Sequence, residues 1–164
     1  MTITVLLMSS SDWPPKTLSA LRQHLSGHAD WTLVDGVELG QISHQIRAIA
    51  PNQTVVAASP PMLIDALTIA LTAWPDRPPC AISLVGPIPN EAELKQLLKL
   101  GLSGWWPDEG LSTQALLAGL TLDRLRWQRD TAHALELTQV RDQLSDRKWV
   151  DRAKGVLAQA RGLD

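Results

Sequence analysis

The sequence predicts an α/β fold, in which a doubly wound parallel sheet is followed by one long C-terminal helix. Two observations support this prediction. Over the first 110 residues, short runs of branched apolar residues alternate five times with helical patterns, as in consecutive βα units. From Leu111 onward there is no proline, and Gly119 is the only glycine before Gly155. About 45 residues can therefore form one nearly unbroken helix.

The first two βα units lie between residues 2 and 50. Residues 2–8 form a short apolar run that predicts a buried strand. In "SDWPPKTLSALRQHL", Asp12 is a candidate N-cap, prolines stand near the first helical position, and leucines recur at helical spacing. "WTLVDG" then predicts the second strand, and "VELGQISHQIRAIA" predicts the second helix.

The remaining units follow the same pattern. "QTVVAAS" predicts the third strand, and "PPMLIDALTIALTAW" predicts a helix that begins at prolines. "PPCAISLVG" predicts the fourth strand, and "NEAELKQLLKLG" a helix with Asn90 as its cap and Gly101 as its stop. "LSGWW" predicts a short fifth strand. Five such units predict a flavodoxin-like sheet with the strand order 2-1-3-4-5.

Charge is unevenly distributed along the chain, although the net charge is only −2. Residues 1–120 contain six basic and ten acidic side chains, whereas residues 121–164 contain nine basic and seven acidic ones. A more basic tail on an acidic body weakly indicates a polyanionic partner. No signal peptide and no apolar run of roughly 18 residues is present, so we expect a cytoplasmic protein without a membrane partner.

This layout resembles the CheY-like receiver domain of response regulators. In that family an Asp after strand 3 takes a phosphoryl group, an acidic pair after strand 1 holds Mg²⁺, and a hydroxyl and a Lys follow strands 4 and 5. Here the corresponding positions hold Met8, Ser9 and Ser10; Ala57, Ala58 and Ser59; Val85 and Gly86; and Pro107 or Asp108. We therefore predict a pseudo-receiver, which is a receiver-like domain that cannot be phosphorylated.

We predict no other catalytic chemistry. The sequence has no GxGxxG, Walker or HExxH motif, and Ser59 has no identifiable base that could make it a replacement nucleophile. Cys80 is the only cysteine and lies in an apolar run, which predicts a buried, inert thiol. We expect no catalytic residue, no metal site, no cofactor and no enzyme activity. The histidines show no metal-ligand spacing and are expected at the surface: His24, His28, His44 and His133.

The last helix changes its apolar face near residue 146. Leu137, Val140 and Leu144 form a short coiled-coil-like seam, which predicts dimerisation. In the closing stretch "DRKWVDRAKGVLAQARGLD", the apolar residues move to a different arc of the helical wheel. These residues are Trp149, Val150, Ala153, Val156, Leu157 and Ala160. The opposite arc is basic and contains Arg147, Lys148, Arg152, Lys154 and Arg161.

The closing stretch resembles the start of an ANTAR domain, the RNA-binding module of transcription antitermination regulators. The family pattern R-[RK]-x-I-[ED]-x-A-K-G-[IV]-L-M corresponds to Arg147, Lys148, Val150, Asp151, Ala153, Lys154, Gly155, Val156 and Leu157, followed by a turn at Gly162 and Leu163. Ala158 stands at the methionine position, where it departs from the pattern. The family module is a three-helix bundle. Because the sequence stops at Asp164, after the first of these helices, we expect an incomplete ANTAR domain.

The order of the segments is similar to that of nitrate/nitrite-assimilation antitermination regulators. The resemblance implies a pseudo-receiver at 1–110, a coiled-coil linker at 111–145 and the start of ANTAR at 146–164. It also implies that the basic arc binds hairpins of a leader transcript, that the long helix forms a homodimer, and that a ligand-sensing protein controls the regulator. Binding of such hairpins would prevent a terminator from forming.

Other functions remain open at this point. The protein is alternatively a dimeric pseudo-receiver that acts only through protein contacts, with the basic arc a solvated helix face. It is alternatively an active phosphoreceiver, which binding of a phosphoryl mimic with Mg²⁺ would support. We expect no such binding.

Overall fold

The computed structural model describes residues 2–74 and 76–162, with the side chains of Val37 and residues 158–162 excepted. All strand pairs are parallel, and the sheet has the order β2-β1-β3-β4-β5. The predicted fold class and strand order are therefore confirmed. The strands are β1 Ile3–Ser9, β2 Trp31–Glu38, β3 Gln53–Ala57, β4 Ala81–Val85 and β5 Gly104–Trp106.

A helix follows each strand, as predicted. The helices are α1 Pro15–Ser26, α2 Ile42–Ile49, α3 Pro60–Ala70, α4 Glu91–Lys99 and α5 Thr113–Gly162, with a short 3-10 helix at Leu39–Gln41. The predicted unbroken C-terminal helix is thus present as α5. No helix in the described residues combines the length and the apolar character needed to cross a membrane.

The chain divides into two compact units, Met1–Trp127 and Gln128–Asp164. The first unit contains the sheet, α1 to α4 and the beginning of α5. The second unit consists of the remainder of α5.

Two apolar clusters cover the two faces of the sheet in the first unit. Successive strand residues point to opposite faces, so Leu6 and Met8 of β1 pack with α2, α3 and α4, while Val5 and Leu7 pack with α1 and α5. Every residue of β3 and β4 is buried. A sheet covered on both faces explains why these strands are buried along their whole length rather than at alternate residues.

The helix ends agree only partly with the sequence prediction. Asn90 caps α4 in a capping box with Glu93, and Gly101 adopts a φ of 99° just after the helix, as the predicted cap and stop require. The prediction that Asp12 caps α1 is wrong. The N-cap residue is Pro14, which has no side-chain acceptor, and Asp12 lies two residues before it, so no side chain caps this helix.

Two predicted boundaries also move. The second strand continues to Glu38, and the second helix begins only at Ile42, after the 3-10 turn. The third helix ends at Ala70, whereas its apolar pattern continues to Trp74. Boundaries shift in this way because side-chain periodicity does not distinguish a buried turn from the helix before it.

Candidate functional site

The residues at the predicted phosphoacceptor positions meet at the carboxyl ends of β1, β3 and β4. The Ser10 N–H donates to the Ala57 carbonyl at 3.0 Å, and the Ala58 N–H donates to the Val85 carbonyl at 3.4 Å. Ala57 and Ala58 are fully buried. Ser59 is half-buried at the start of α3, and its hydroxyl makes no capping bond. This edge of the sheet therefore carries methyl groups and hydroxyls where a receiver needs carboxylates.

The space beside the end of β4 is closely packed. A Cβ atom on Gly86 would lie 2.5 Å from the Ala58 carbonyl oxygen and 3.2 Å from the ring of Trp13. The Trp105 indole donates to the Gly86 carbonyl at 3.1 Å. Within residues 2–74 and 76–162, no cluster of three His, Cys, Asp or Glu side chains could hold a metal ion. At the end of β5, Pro107 is half-buried and Asp108 is exposed.

A buried polar network, not predicted from the sequence, connects α5 to the sheet. Asp123 of α5 has no exposed surface, and its Oδ2 accepts hydrogen bonds from Ser83 Oγ at 2.8 Å and from Trp106 Nε1 at 2.7 Å. Gln53 of β3 donates through Nε2 to Ser83 Oγ at 3.1 Å and to the Leu120 carbonyl at 2.8 Å. Gln53, Ser83, Trp106 and Asp123 are called the Asp123 network below. It joins three strands to one helix.

The network leaves polar atoms without partners. Asp123 Oδ1 and Gln53 Oε1 are buried and accept no hydrogen bond within the described part of the chain. Burial raises the pKa of the Asp123 carboxyl, while the hydrogen bonds from Trp106 and Ser83 and the charge of Arg126 act in the opposite direction. The network thus contains an acid whose charged form is disfavoured inside the core.

The positions of Asp123 and Ser83 in the sequence are the only indications of this network that the sequence gives. Leu116, Leu120, Asp123 and Trp127 recur at spacings of four, three and four, so Asp123 stands on the buried stripe of α5. Ser83 likewise interrupts the apolar run of β4. A polar residue on a buried stripe indicates a partner inside the core, but the sequence does not tell which residue is that partner.

The cations of the predicted RNA-binding arc lie on α5 in the second unit. Arg147, Lys148, Arg152 and Lys154 are all exposed, and none forms an ion pair with another described residue. The side chain of Arg161 lies outside the described residues. The structure therefore leaves four cationic groups available on one helix, and RNA binding by them stays a prediction.

Two apolar surfaces of the second unit are also exposed. Leu137, Val140 and Leu144, the predicted dimer seam, have 59%, 50% and 51% of their surface exposed. On the apolar arc of the closing stretch, Trp149 and Val156 are exposed by 68% and 66%. Large apolar side chains spaced along one helix mark a surface that another helix can cover.

Within the part of the chain that the structure describes, the only cysteine and the histidines do not belong to a cluster that could hold a metal ion. Cys80 is buried, which confirms the prediction, and burial raises the pKa of its thiol to about 11 despite its contact with Thr54. The expectation of surface histidines is wrong for two of the four. His24 is half-buried and hydrogen-bonded to the Thr113 hydroxyl, and half-buried His28 stacks on Trp31. His44 and His133 are exposed.

Comparison with solved structures identifies the fold. A LuxR-family two-component response regulator from Aurantimonas sp. SI85-9A1 superposes with a TM-score of 0.61 at 14% identity, covering 76% of this chain and 86% of that one. The signal receiver domain of an HD domain-containing protein from Pseudomonas fluorescens Pf-5 gives 0.60 at 16% identity, with coverages of 80% and 94%. The response regulator domain of Thermotoga maritima CheB gives 0.55 at 17%, with coverages of 79% and 98%.

At these identities the likeness shows the fold alone: the chain has the architecture of a response-regulator receiver domain. No family model matches the sequence, and no curated protein matches it.

Proposed function

We propose that this protein is a transcription antitermination regulator, in which a receiver-like domain without phosphotransfer chemistry carries a C-terminal segment that binds hairpins of a leader transcript. The observation that carries the proposal is the basic arc of Arg147, Lys148, Arg152 and Lys154. These cations are exposed and unpaired within the described residues, opposite an apolar arc, in a stretch that resembles ANTAR.

The basic arc suits a structured RNA. Arg147 and Lys154 are seven residues apart, and Lys148 and Arg152 are four apart, so each pair repeats on its own side of the helix. Protein contacts to double-stranded RNA are made largely to phosphates and 2′-hydroxyls, and cations on a rigid helix can track such a backbone. Each neutralised phosphate releases counterions, so the binding must weaken as salt rises.

The carboxyl edge of the sheet supports a signal other than phosphorylation. Ala57 and Ala58 give no nucleophile, and Gly86 is packed against Trp13 and the Ala58 carbonyl. In the proposal the protein is not an enzyme and needs no cofactor. It works in the cytoplasm, and a ligand-sensing partner protein controls its access to RNA.

Replacing Lys154 with alanine is expected to weaken RNA binding. We expect a three- to tenfold loss of affinity for a two-hairpin leader RNA, which corresponds to the loss of about one phosphate contact. We also expect a shallower dependence of affinity on salt concentration. Fluorescence anisotropy at several salt concentrations measures both. Arg141→Ala is the matched control, because it removes an exposed cation of the same helix outside the ANTAR-like pattern. Equal binding by wild type and Lys154→Ala, or binding by neither, contradicts the proposal.

A second candidate function is protein interaction alone, by a dimeric pseudo-receiver. The exposure of Leu137, Val140 and Leu144 favours it, because a seam at spacings of three and four is what a partner helix buries. We expect a charge in this seam, as in Val140→Glu, to shift a dimer to monomer in sedimentation velocity, whereas Gln139→Glu leaves the dimer intact. A wild-type monomer at high micromolar concentration rules out the seam. A dimer that binds no hairpin RNA favours the second function over the first.

A further inference from the structure

A cavity of about 630 Å³ opens at the carboxyl ends of β1 and β2 in the first unit. Its apolar wall includes Trp13, Leu18, Leu39 and Met62, which come from four different parts of the fold. Small-molecule sites are cavities of roughly 300–1,000 Å³ with mostly apolar walls and a few polar groups. The volume and the lining therefore both suit a small ligand.

The cavity lies beside the crevice at which a doubly wound sheet favours ligand binding. β1 pairs with β2 on one side and with β3 on the other, so the chain reverses its direction across the sheet between β1 and β3. Met62 of α3, the helix that follows β3, lines the cavity. In open α/β sheets, ligands bind outside the carboxyl ends of the strands at this reversal. Ser9 ends β1, Ser10 and Ser11 follow it, and all three line the cavity.

The charge of the side chains that line the cavity indicates which class of ligand it binds. Glu38 is the only charged side chain among the described residues that line it. As the single charged group among the described residues of the wall, the Glu38 carboxylate repels phosphates and carboxylic acids and attracts an ammonium group.

We propose that this cavity binds a small amphipathic amine, with its ammonium group against Glu38 and its apolar body against Trp13, Leu18, Leu39 and Met62. The amine would act as an input signal at the edge of the sheet that holds the phosphoacceptor in receivers. The site requires only the first unit. The amine-binding proposal can therefore be correct if the RNA-binding proposal is wrong, and the RNA-binding proposal can be correct if the amine-binding proposal is wrong.

Methionine methyl NMR tests the site directly. The sequence has three methionines, of which Met62 lines the cavity, whereas Met8 is buried in the core and does not line it. The probes are phenethylamine, phenethyl alcohol and 3-phenylpropionate, which share a ring and a two-carbon chain and differ in their end group. We expect phenethylamine to shift the Met62 methyl signal saturably and the Met8 signal little. We expect it to bind roughly tenfold more tightly than the carboxylate.

Glu38→Gln provides the decisive comparison. We expect this variant to bind the amine no better than the alcohol, whereas Glu136→Gln, which makes the same chemical change in the second unit, leaves amine binding unchanged. A carboxylate that binds as tightly as the amine overturns the proposal. So does an unchanged affinity in Glu38→Gln, or a Met62 signal that does not move at millimolar amine. These outcomes leave the RNA titration unaffected.

Discussion

Replacing Gly104 with alanine is expected to destabilise the first unit by about 3 kcal/mol. A Cβ atom at this position would lie 2.3 Å from both carboxylate oxygens of Asp123 and 2.5 Å from its Cγ. The carboxylate is held in place by hydrogen bonds from Ser83 and Trp106, so it cannot swing aside without breaking them. Chemical denaturation followed by tryptophan fluorescence and by circular dichroism measures the loss.

Gly40→Ala is the matched control for this prediction. No atom lies within 4 Å of the Cβ position of Gly40, and its backbone is not in the left-handed region. We expect a change of less than about 0.5 kcal/mol there. A similar loss in the two variants would show that β5 and α5 adjust freely, and that the carboxylate is not confined as the structure has it.

Replacing Asp123 with alanine is expected to cost about 3 kcal/mol, because it leaves the Ser83 hydroxyl and the Trp106 indole N–H buried without their acceptor. Asp123→Asn is the conservative comparison. Its amide oxygen can accept both hydrogen bonds, and its side chain has no charge to desolvate. We expect this variant to be at least about 2 kcal/mol more stable than Asp123→Ala. Equal stabilities would contradict a role for the accepting oxygen.

The pH dependence of stability gives a second test of Asp123. Because burial raises the pKa of this carboxyl, the folded protein binds the proton more tightly than the unfolded chain does. The contribution of Asp123 to the free energy of unfolding is therefore fully present below the ordinary pKa of about 3.9 and is lost as pH rises through the folded value. We expect Asp123→Asn to gain stability relative to wild type over that interval. A constant difference between the two proteins, or one of opposite sign, contradicts the raised pKa.

The sheet could be predicted from the sequence because the features that specify each strand and each helix lie within short segments of the chain. Each strand is a short apolar run such as "QTVVAAS" or "PPCAISLVG", each helix has its own periodicity, and the strand order follows from five consecutive βα units. The cap at Asn90 and the stop at Gly101 are equally local, and both are present. Asp12 failed as a cap because α1 begins at Pro15, which places Pro14 and not Asp12 at the N-cap position.

The Asp123 network could not be predicted because its members are distant in sequence. Gln53 and Leu120 are separated by 67 residues, and Ser83 and Asp123 by 40. Period and propensity place Asp123 on a buried stripe, but only the assembled sheet brings Ser83 and Trp106 to it. The need for glycine at position 104 could not be predicted for the same reason. The carboxylate that leaves no room for a side chain there belongs to Asp123, which is on another element of the fold.

The cavity beside Glu38 was missed for a similar reason. Its wall is assembled from β1, α1, the turn after β2 and α3, and no motif joins these segments in the sequence. The basic arc of the last helix, by contrast, was readable in advance, because a single helix fixes which of its residues share a side.

The most direct test of the proposed function is transcription through a terminator. A template carries a two-hairpin leader before an intrinsic terminator, and the fraction of full-length transcripts is measured with increasing protein. We expect wild type to raise read-through, and a variant with Arg147, Lys148, Arg152 and Lys154 all replaced by alanine to leave it at the level without protein. Read-through that wild type does not change, or that the four-alanine variant raises equally, contradicts the proposal that this helix acts on a leader transcript.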